Sequence, residues 1–242
     1  MTTTSSPSKK IRLNIQRFDP KTDTAPHYDS FEVITRPRMT VLDALFQVLE
    51  TKDRLLAFRY SCRSAVCGSD AMYINGKQRL ACNTQISELG GEVTIAPLPH
   101  MPVIKDLVVD LGPFFHKIDQ VTPYIVSREP YPTKEYLQSP KDRLKIDVAI
   151  DCIDCGACLS ACPSAWTDPK YIGPAASVKA ARFVADTRDI AQTERLKIVG
   201  CEDGVWRCHT IFNCSDACPK SIDPPYFIQY LKRKATIAAL KH

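Results

Sequence analysis

The chain has 242 residues, of which 44% are hydrophobic and 24% are charged, with a formal net charge of +5. This composition is typical of a soluble globular protein with one large or two ordinary domains. The charge is too small to favour nucleic-acid binding, and no apolar run reaches the roughly 18 residues that span a bilayer. The polar start, residues 1–8, lacks the apolar segment of a secretory signal. We therefore expect a chain that stays in a reducing bacterial cytoplasm and reaches a membrane only through partner proteins.

The N-terminal part has the pattern of a β-grasp. Residues 10–18 alternate apolar and polar side chains, which predicts a half-buried strand, and residues 31–34 can return beside it as a hairpin. A capping box that begins at Thr40 precedes apolar residues at helical spacing, which predicts a helix. Asn75-Gly76 predicts a second hairpin, and residues 92–95 form a last strand.

A ligand pattern lies between this helix and the second hairpin. Cys62, Cys67 and Asp70 follow the spacing C-x4-C-x2-D, with Cys82 farther along. Plant-type 2Fe-2S proteins have cysteine at all four positions. Because a carboxylate can bind ferric iron as a hard oxygen donor, these four residues are predicted to hold a 2Fe-2S cluster. The alternative is that Asp70 caps a turn while water or hydroxide completes the iron. Gly68 would let backbone amides approach the sulfurs.

Prolines are frequent from Pro97 to Pro140, which predicts a connector on the surface and not a core element. We place the domain boundary in this segment. The expected division is residues 1–108, a 2Fe-2S ferredoxin-like β-grasp domain, and residues 109–242, a helical domain.

The second part opens its ligand pattern with C-x2-C-x2-C-x3-C-P, from Cys152 to Pro163, which is the bacterial ferredoxin run. In that run the fourth cysteine binds a different cluster from the first three, so a second run is required. It follows from Cys208 to Pro219, with Ile211 at the position of the middle cysteine.

Combining the two runs crosswise gives two ligand sets. The predicted 4Fe-4S ligands are Cys152, Cys155, Cys158 and Cys218. The predicted 3Fe-4S ligands are Cys162, Cys208 and Cys214. An apolar side chain cannot bind iron, so the corner that faces Ile211 should lack one. Structural zinc is the main alternative, because paired C-x2-C motifs also occur in zinc ribbons. Disulfides fit poorly, since the eleven cysteines are an odd number.

Two helices complete the second domain. Residues 177–187 place Val178, Ala181 and Val184 on one face, and residues from about 225 to 240 form a final helix. The fold class is therefore α+β: an N-terminal β-grasp followed by an all-α bacterial-ferredoxin-like domain. Cys201 fits neither run, and we expect it to be a buried apolar thiol.

Three clusters in one chain form a conduit for single electrons, and the sequence lacks a Gly-rich nucleotide fingerprint. From Ile11 to about Leu240 the chain resembles the iron-sulfur subunits of succinate dehydrogenase and fumarate reductase, and it is most similar to those of succinate dehydrogenase. The matching segments are Ser61 to Asp70, Ile74 to Cys82, Lys105 to Asp110, Cys162 to Ser164, Ile172 to Ala175, and Arg207 to Lys220.

The resemblance implies a subunit of respiratory complex II, active in the tricarboxylic acid cycle and without a catalytic residue for succinate of its own. Electrons would come from an FAD-containing flavoprotein subunit and leave to quinone at membrane anchor subunits, with or without haem. The chain would lie peripherally on the cytoplasmic face of the bacterial inner membrane. Fumarate reductase, with the electron flow reversed, is one alternative. A free multi-cluster electron carrier, isolated without a flavoprotein, is another.

The resemblance also places the quinone site beside the 3Fe-4S cluster. Pro163, Ser164, Trp166 and His209 are within a few residues of Cys162 or Cys208, and three of them can donate hydrogen bonds. The family often has two tryptophans after Cys-Pro-Ser, whereas here Trp166 is followed by threonine. The alternative roles are core packing for Trp166 and solvation of the cluster sulfurs for His209.

Overall fold

The computed structural model describes residues 9–240, so the polar start at residues 1–8 and the last two residues lie outside the described part. The chain divides after Asp110 into two compact units. The boundary expected from the sequence was two residues earlier.

The first unit is built on a five-stranded sheet with the strand order β2-β1-β5-β3-β4. Its strands are β1 (Lys10–Arg17), β2 (His27–Ile34), β3 (Ala71–Ile74), β4 (Lys77–Leu80) and β5 (Glu92–Ala96). The pair β1 and β5 is parallel, and the other neighbours are antiparallel. With one helix packed on the sheet, this is the predicted β-grasp.

The alternation in β1 explains which face of the sheet is buried. Leu13 and Ile15 are fully buried, and they pack in one core with the apolar face of helix α1 (Val41–Thr51). The helix starts where predicted: the Thr40 hydroxyl accepts a hydrogen bond from the Asp43 N–H at 3.1 Å, and the Asp43 carboxylate accepts one from the Thr40 N–H at 2.9 Å. These bonds satisfy two free donors of the first turn.

The second hairpin is also confirmed. Asn75 and Gly76 both have positive φ, at 46° and 79°, which is the conformation of a type I′ turn. This turn fixes the register of β3 and β4, and the chain leaves β4 directly towards Cys82. The ligand candidates Asp70 and Cys82 are therefore at the same end of one hairpin.

A buried carboxylate joins three segments of this unit. Asp106 is 2% exposed and accepts hydrogen bonds from the backbone N–H groups of Phe18 and Ala57 at 3.1 and 2.9 Å. The Arg17 guanidinium pairs with it at 3.1 Å. The segment before the 2Fe-2S loop is thereby tied to the end of β1.

The expectation of a connector without core residues is wrong in part. After the short strands β6 (Val103–Lys105) and β7 (Val108–Val109), the chain forms helix α2 (Gly112–Asp119). Phe114 and Ile118 of α2 are buried in the core of the second unit. Pro113 lies in the first turn, where a missing N–H costs no hydrogen bond, so this proline starts a helix instead of preventing one.

The second unit is helical, as predicted. Its further helices are α3 (Pro140–Leu144), α4 (Asp147–Ile150), α5 (Ala157–Ser160), α6 (Pro163–Thr167), α7 (Gly173–Ala185), α8 (Gln192–Val199), α9 (Asn213–Asp216) and α10 (Pro224–Ala239). The core lies between α7 and α10, and Val178, Ala181 and Val184 are buried in it. Gly173 lets the start of α7 approach α5, because a β carbon there would lie 2.5 Å from a methyl carbon of Leu159. Within residues 9–240, no helix has the length and apolar character needed to cross a membrane.

Candidate iron-sulfur sites

The predicted 2Fe-2S ligands of the first unit lie on an irregular loop, residues 61–70, and on the hairpin end that follows. The Cys62 sulfur accepts hydrogen bonds from the backbone N–H groups of Ser64, Val66 and Cys67 at 3.3–3.4 Å. The Arg63 guanidinium lies 4.5 Å from the centroid of the Phe46 ring on α1, which anchors the loop. The backbone therefore wraps one sulfur with amide donors, as a cluster ligand requires.

Asp70 is almost completely buried, and its two carboxylate oxygens differ. One accepts the Cys82 N–H at 2.5 Å, so Asp70 does cap the turn, as the alternative proposed. The other is buried and has no hydrogen-bond partner within the described residues. A buried carboxylate oxygen is rarely left without a partner, so it fits an oxygen donor that completes its shell with iron. The two roles are compatible.

The thiols of this site differ in acidity. Burial raises the pKa of Cys67, but hydrogen bonds from Ser69 and Cys62 outweigh it and lower the pKa to about 7. The Ser69 hydroxyl lies 3.2 Å from the Cys67 sulfur. Burial and the Asp70 carboxylate raise the pKa of Cys82 to about 12. Hydrogen-bond donors within the loop therefore stabilise the thiolate form of the exposed Cys67.

In the second unit the cysteines separate into two cavities. The first cavity has about 310 Å³ of space free of protein atoms, part of it open to solvent, and Phe114 and Ile222 contribute apolar walls. The cysteines that line it are Cys152, Cys155, Cys158 and Cys218. This is the complete crosswise set predicted for the 4Fe-4S cluster.

The second cavity has about 320 Å³ of such space, nearly the same as the first. The cysteines that line it are Cys162, Cys208 and Cys214. Ile211 is also at its wall, where a fourth thiol would be expected. The structure thus brings together the three predicted 3Fe-4S ligands with the apolar residue that replaces the fourth.

Short helices present these thiols. Gly156, with φ of 79°, turns the chain into α5, which carries Cys158, and Cys162 is the N-cap residue of α6. Cys214 lies on α9. The chain passes through α5 before it reaches Cys162, so the last thiol of the run lies at the start of the next helix and lines the other cavity.

Most of these thiols are held neutral by their surroundings. Burial, followed by repulsion from neighbouring groups, raises the pKa of Cys152 and Cys214 to about 12. Burial also raises the pKa of Cys155 to about 11, although the Ala157 N–H acts in the opposite direction. Burial also raises the pKa of Cys158 well above its usual value. Since iron binds thiolates, loading these cavities must release protons.

Within residues 9–240, no group of three or more His, Cys, Asp or Glu side chains is arranged to hold a single metal ion. A cluster keeps its thiolates apart by its own irons and sulfides. The finding therefore concerns single ions and is compatible with cluster ligands that line a cavity.

Three of the four residues predicted near quinone line the second cavity: Pro163, Ser164 and His209. Trp166 is 39% exposed, and its indole N–H donates to the Ser160 carbonyl at 2.8 Å. The indole N–H, which we expected to be available to quinone, is therefore already bonded to the protein.

Sequence reasoning missed two residues of this region and misplaced a third. Tyr171 lines the second cavity, although it belongs to neither run. Lys232, which belongs to neither run, is half-buried and donates to the Cys208 carbonyl at 3.1 Å. Cys201 is exposed and not buried as expected, because it follows Gly200 in the turn that ends α8. The helix predicted from about residue 225 to 240 contains Lys232, and it is the only sequence signal that could have indicated this contact.

A β-grasp unit with a plant-type ligand loop, followed by a helical unit with two cysteine-lined cavities, defines a multi-cluster protein of the ferredoxin type. Two family models agree with this class. Residues 12–116 match a 2Fe-2S iron-sulfur cluster binding domain, and residues 148–222 match a 4Fe-4S dicluster domain.

Known proteins specify the family. The succinate dehydrogenase iron-sulfur subunit of Paracoccus denitrificans is 44% identical over 91% of this chain and 86% of its own length. The fumarate reductase iron-sulfur subunit of Mycobacterium tuberculosis is 38% identical over 96% and 95%. A chain of the Mycobacterium smegmatis Sdh1 complex in the apo form superposes with a TM-score of 0.88 at 25% identity, covering 96% of this chain and 97% of its own. The chain belongs to the family of succinate dehydrogenase and fumarate reductase iron-sulfur subunits, whose cofactors are a 2Fe-2S, a 4Fe-4S and a 3Fe-4S cluster.

Proposed function

We propose that this chain is the electron-transfer subunit of a succinate:quinone oxidoreductase, respiratory complex II. It would accept electrons from an FAD-containing flavoprotein subunit that oxidises succinate and deliver them to quinone at a membrane anchor, with or without haem. It would lie peripherally on the cytoplasmic face of the bacterial inner membrane. The observation that carries the proposal is the separation of seven cysteines into two cavities, one with four thiols and one with three.

The proposed ligands follow from this separation. The 4Fe-4S ligands are the four cysteines of the first cavity, and the 3Fe-4S ligands are the three of the second. The 2Fe-2S ligands are Cys62, Cys67, Asp70 and Cys82, supported by the unpartnered oxygen of Asp70. When bound, these clusters supply one-electron redox centres.

The protein contributes burial and donors at each site. The first cavity has apolar walls at Phe114 and Ile222, while backbone amides surround Cys62. At the second cavity, Thr210 N–H donates to the Cys208 sulfur at 3.4 Å. Burial and hydrogen bonds both set the reduction potential of a cluster, because they change the free energy of adding negative charge to it.

We further propose that quinone is reduced beside the second cavity. Ser164 and His209 line it, and His209 can transfer a proton, which quinone reduction requires together with each electron. Pro163 shapes the same wall. Trp166 contributes its ring and not its N–H, which is bonded to Ser160.

The test uses the assembled membrane complex with Ser164→Ala and His209→Ala. Succinate oxidation with quinone as acceptor should fall about a hundredfold or more in His209→Ala, the effect of losing one positioned proton donor, and by a smaller factor in Ser164→Ala. Oxidation with an artificial acceptor that draws on the flavin should be unchanged. Ser177→Ala and His116→Ala are matched controls, since neither residue is among those lining the second cavity. Equal loss of both activities would contradict the quinone assignment.

Fumarate reductase is the second candidate, favoured by the relative of that name at 38% identity. The two differ in the direction of net electron flow, which cluster and quinone potentials set. The ratio of succinate oxidation to fumarate reduction in the purified complex decides between them.

A further inference from the structure

Tyr171 is a buried tyrosine at the second cavity that neither cysteine run explains. It immediately precedes Ile172, the N-cap of α7, and its side chain has no exposed surface. It lines the cavity together with the three cysteines proposed to bind the 3Fe-4S cluster. Tyr171 provides the only tyrosine hydroxyl among the residues that line this cavity.

The hydroxyl of Tyr171 has no hydrogen-bond partner among residues 9–240. The Cys208 thiol approaches it, but no protein group meets hydrogen-bond geometry with it. Buried tyrosine hydroxyls normally have a partner. A phenol O–H has one proton to donate. The Tyr171 hydroxyl can therefore donate to an acceptor that fills the cavity.

The backbone holds the ring in this position from two directions. The Lys117 ammonium donates to the Tyr171 carbonyl at 2.6 Å, and the Ile172 N–H donates to the Asp203 carbonyl at 3.1 Å. The Tyr171 N–H itself donates to the Asp168 carbonyl at 3.1 Å. With both neighbouring peptides fixed and the side chain fully packed, the hydroxyl cannot turn to solvent for a partner.

We propose that Tyr171 donates a hydrogen bond to a sulfur of the 3Fe-4S cluster and thereby raises the reduction potential of that cluster. The inference rests on the proposed ligand set of the second cavity. A donor stabilises the reduced cluster more than the oxidised one, because reduction adds negative charge to the sulfurs. Tyr171 would then favour the arrival of electrons at the cluster beside the proposed quinone site.

The test is an EPR-monitored redox titration of the assembled complex with Tyr171→Phe, which removes only the hydroxyl. At a fixed ambient potential the ratio of reduced to oxidised 3Fe-4S cluster should fall about tenfold, a shift of about 59 mV for a one-electron couple. The midpoints of the other two clusters should stay unchanged. Tyr230→Phe is the matched control: Tyr230 is partly buried against the same core but is not among the residues lining the cavity.

A structural role alone would leave the midpoint unchanged in a fully loaded Tyr171→Phe complex, and that result would overturn the inference while leaving the ligand set intact. Absence of a 3Fe-4S signal from the unmodified complex would instead overturn the ligand set itself. Should Tyr171→Phe not load the cluster, Tyr171→Met serves as the second apolar variant.

A second measurement compares the unmodified complex with the apolar variants. Electron-nuclear double resonance of the oxidised 3Fe-4S signal, recorded in H2O and D2O, should show exchangeable protons coupled to the cluster, among them the Thr210 N–H. One further exchangeable coupling should be present in the unmodified complex and absent from either apolar variant. Identical couplings in the unmodified complex and the variants would overturn the hydrogen bond.

Discussion

The 2Fe-2S loop of the first unit and the two cavities of the second prepare their thiols in different ways. In the loop, Cys62 and Cys67 are exposed, and amide or hydroxyl donors from neighbouring residues contact their sulfurs. In the cavities, the cysteines are buried or half-buried, and their surroundings raise the pKa values of most of them. The pKa of Cys67, about 7, lies far below that of Cys152, about 12.

This difference shows two ways of setting a redox potential with the same ligand chemistry. An exposed site depends on hydrogen bonds supplied by its own loop, so single donors should matter. A buried site depends on the exclusion of water and on how many thiolates are present, so the number and positions of cysteines should matter most. The following variants test this contrast.

The largest effect is expected from Cys158→Ala in the first cavity. The loss of a buried thiol ligand should remove the 4Fe-4S cluster, so the content per chain should fall from about nine irons and ten sulfides to about five and six. Iron and sulfide analysis of the purified complex measures this. Cys201→Ala is the control, since Cys201 is exposed and lines neither cysteine cavity. Equal metal content in the two variants would contradict the ligand set.

In the second cavity, Ile211→Cys should supply the missing thiol. One more iron should then bind, giving a 4Fe-4S cluster and removing the oxidised 3Fe-4S EPR signal at about g = 2. Ile211→Val keeps an apolar wall and should retain the signal. Persistence of the full signal in the cysteine variant would show that Ile211 does not face the open corner.

A smaller effect is expected from Asp70→Cys in the first unit. The 2Fe-2S cluster should remain, with a potential lower by something on the order of 50 mV, because thiolate donates more electron density than carboxylate. Asp70→Asn keeps the shape and tests the charge. An unchanged midpoint and EPR spectrum in Asp70→Cys would mean that the buried oxygen never reaches iron.

The smallest effect is expected from Ser69→Ala, which removes the hydroxyl that lies 3.2 Å from the Cys67 sulfur. The 2Fe-2S potential should fall by about 20 mV, the share of one donor among several. Ser64→Ala is the control, because the hydroxyl it removes donates to the Cys62 carbonyl and not to a sulfur. The midpoint of the 2Fe-2S cluster should be unchanged in this variant. A larger shift in the control than in Ser69→Ala would contradict tuning by loop donors.

Local patterns predicted the first unit well. The capping box at Thr40 and the turn at Asn75-Gly76 are satisfied within four residues, so the sequence alone contains their physical cause. The crosswise grouping of cysteines could also be anticipated, because the run from Cys152 to Cys162 states by its own spacing that one thiol must leave the set. The binding of iron by these residues stays a prediction.

What the sequence did not reveal depends on packing between distant segments. Phe114 and Ile118 occupy the core of the second unit through a helix that a proline-rich segment concealed. Tyr171 gives no signal of its own, because a buried tyrosine before a helix is usually core packing. Its unpartnered hydroxyl is visible only once α7 and the second ligand run are placed together.

The central claim is that this one chain holds three clusters with different ligand sets. An EPR-monitored redox titration of the purified complex, combined with iron and sulfide analysis, tests it most directly. The account predicts three separately titrating signals, of 2Fe-2S, 4Fe-4S and 3Fe-4S type, with about nine irons per chain. Zinc in place of iron would contradict it. So would two EPR signals together with the iron content of only two clusters.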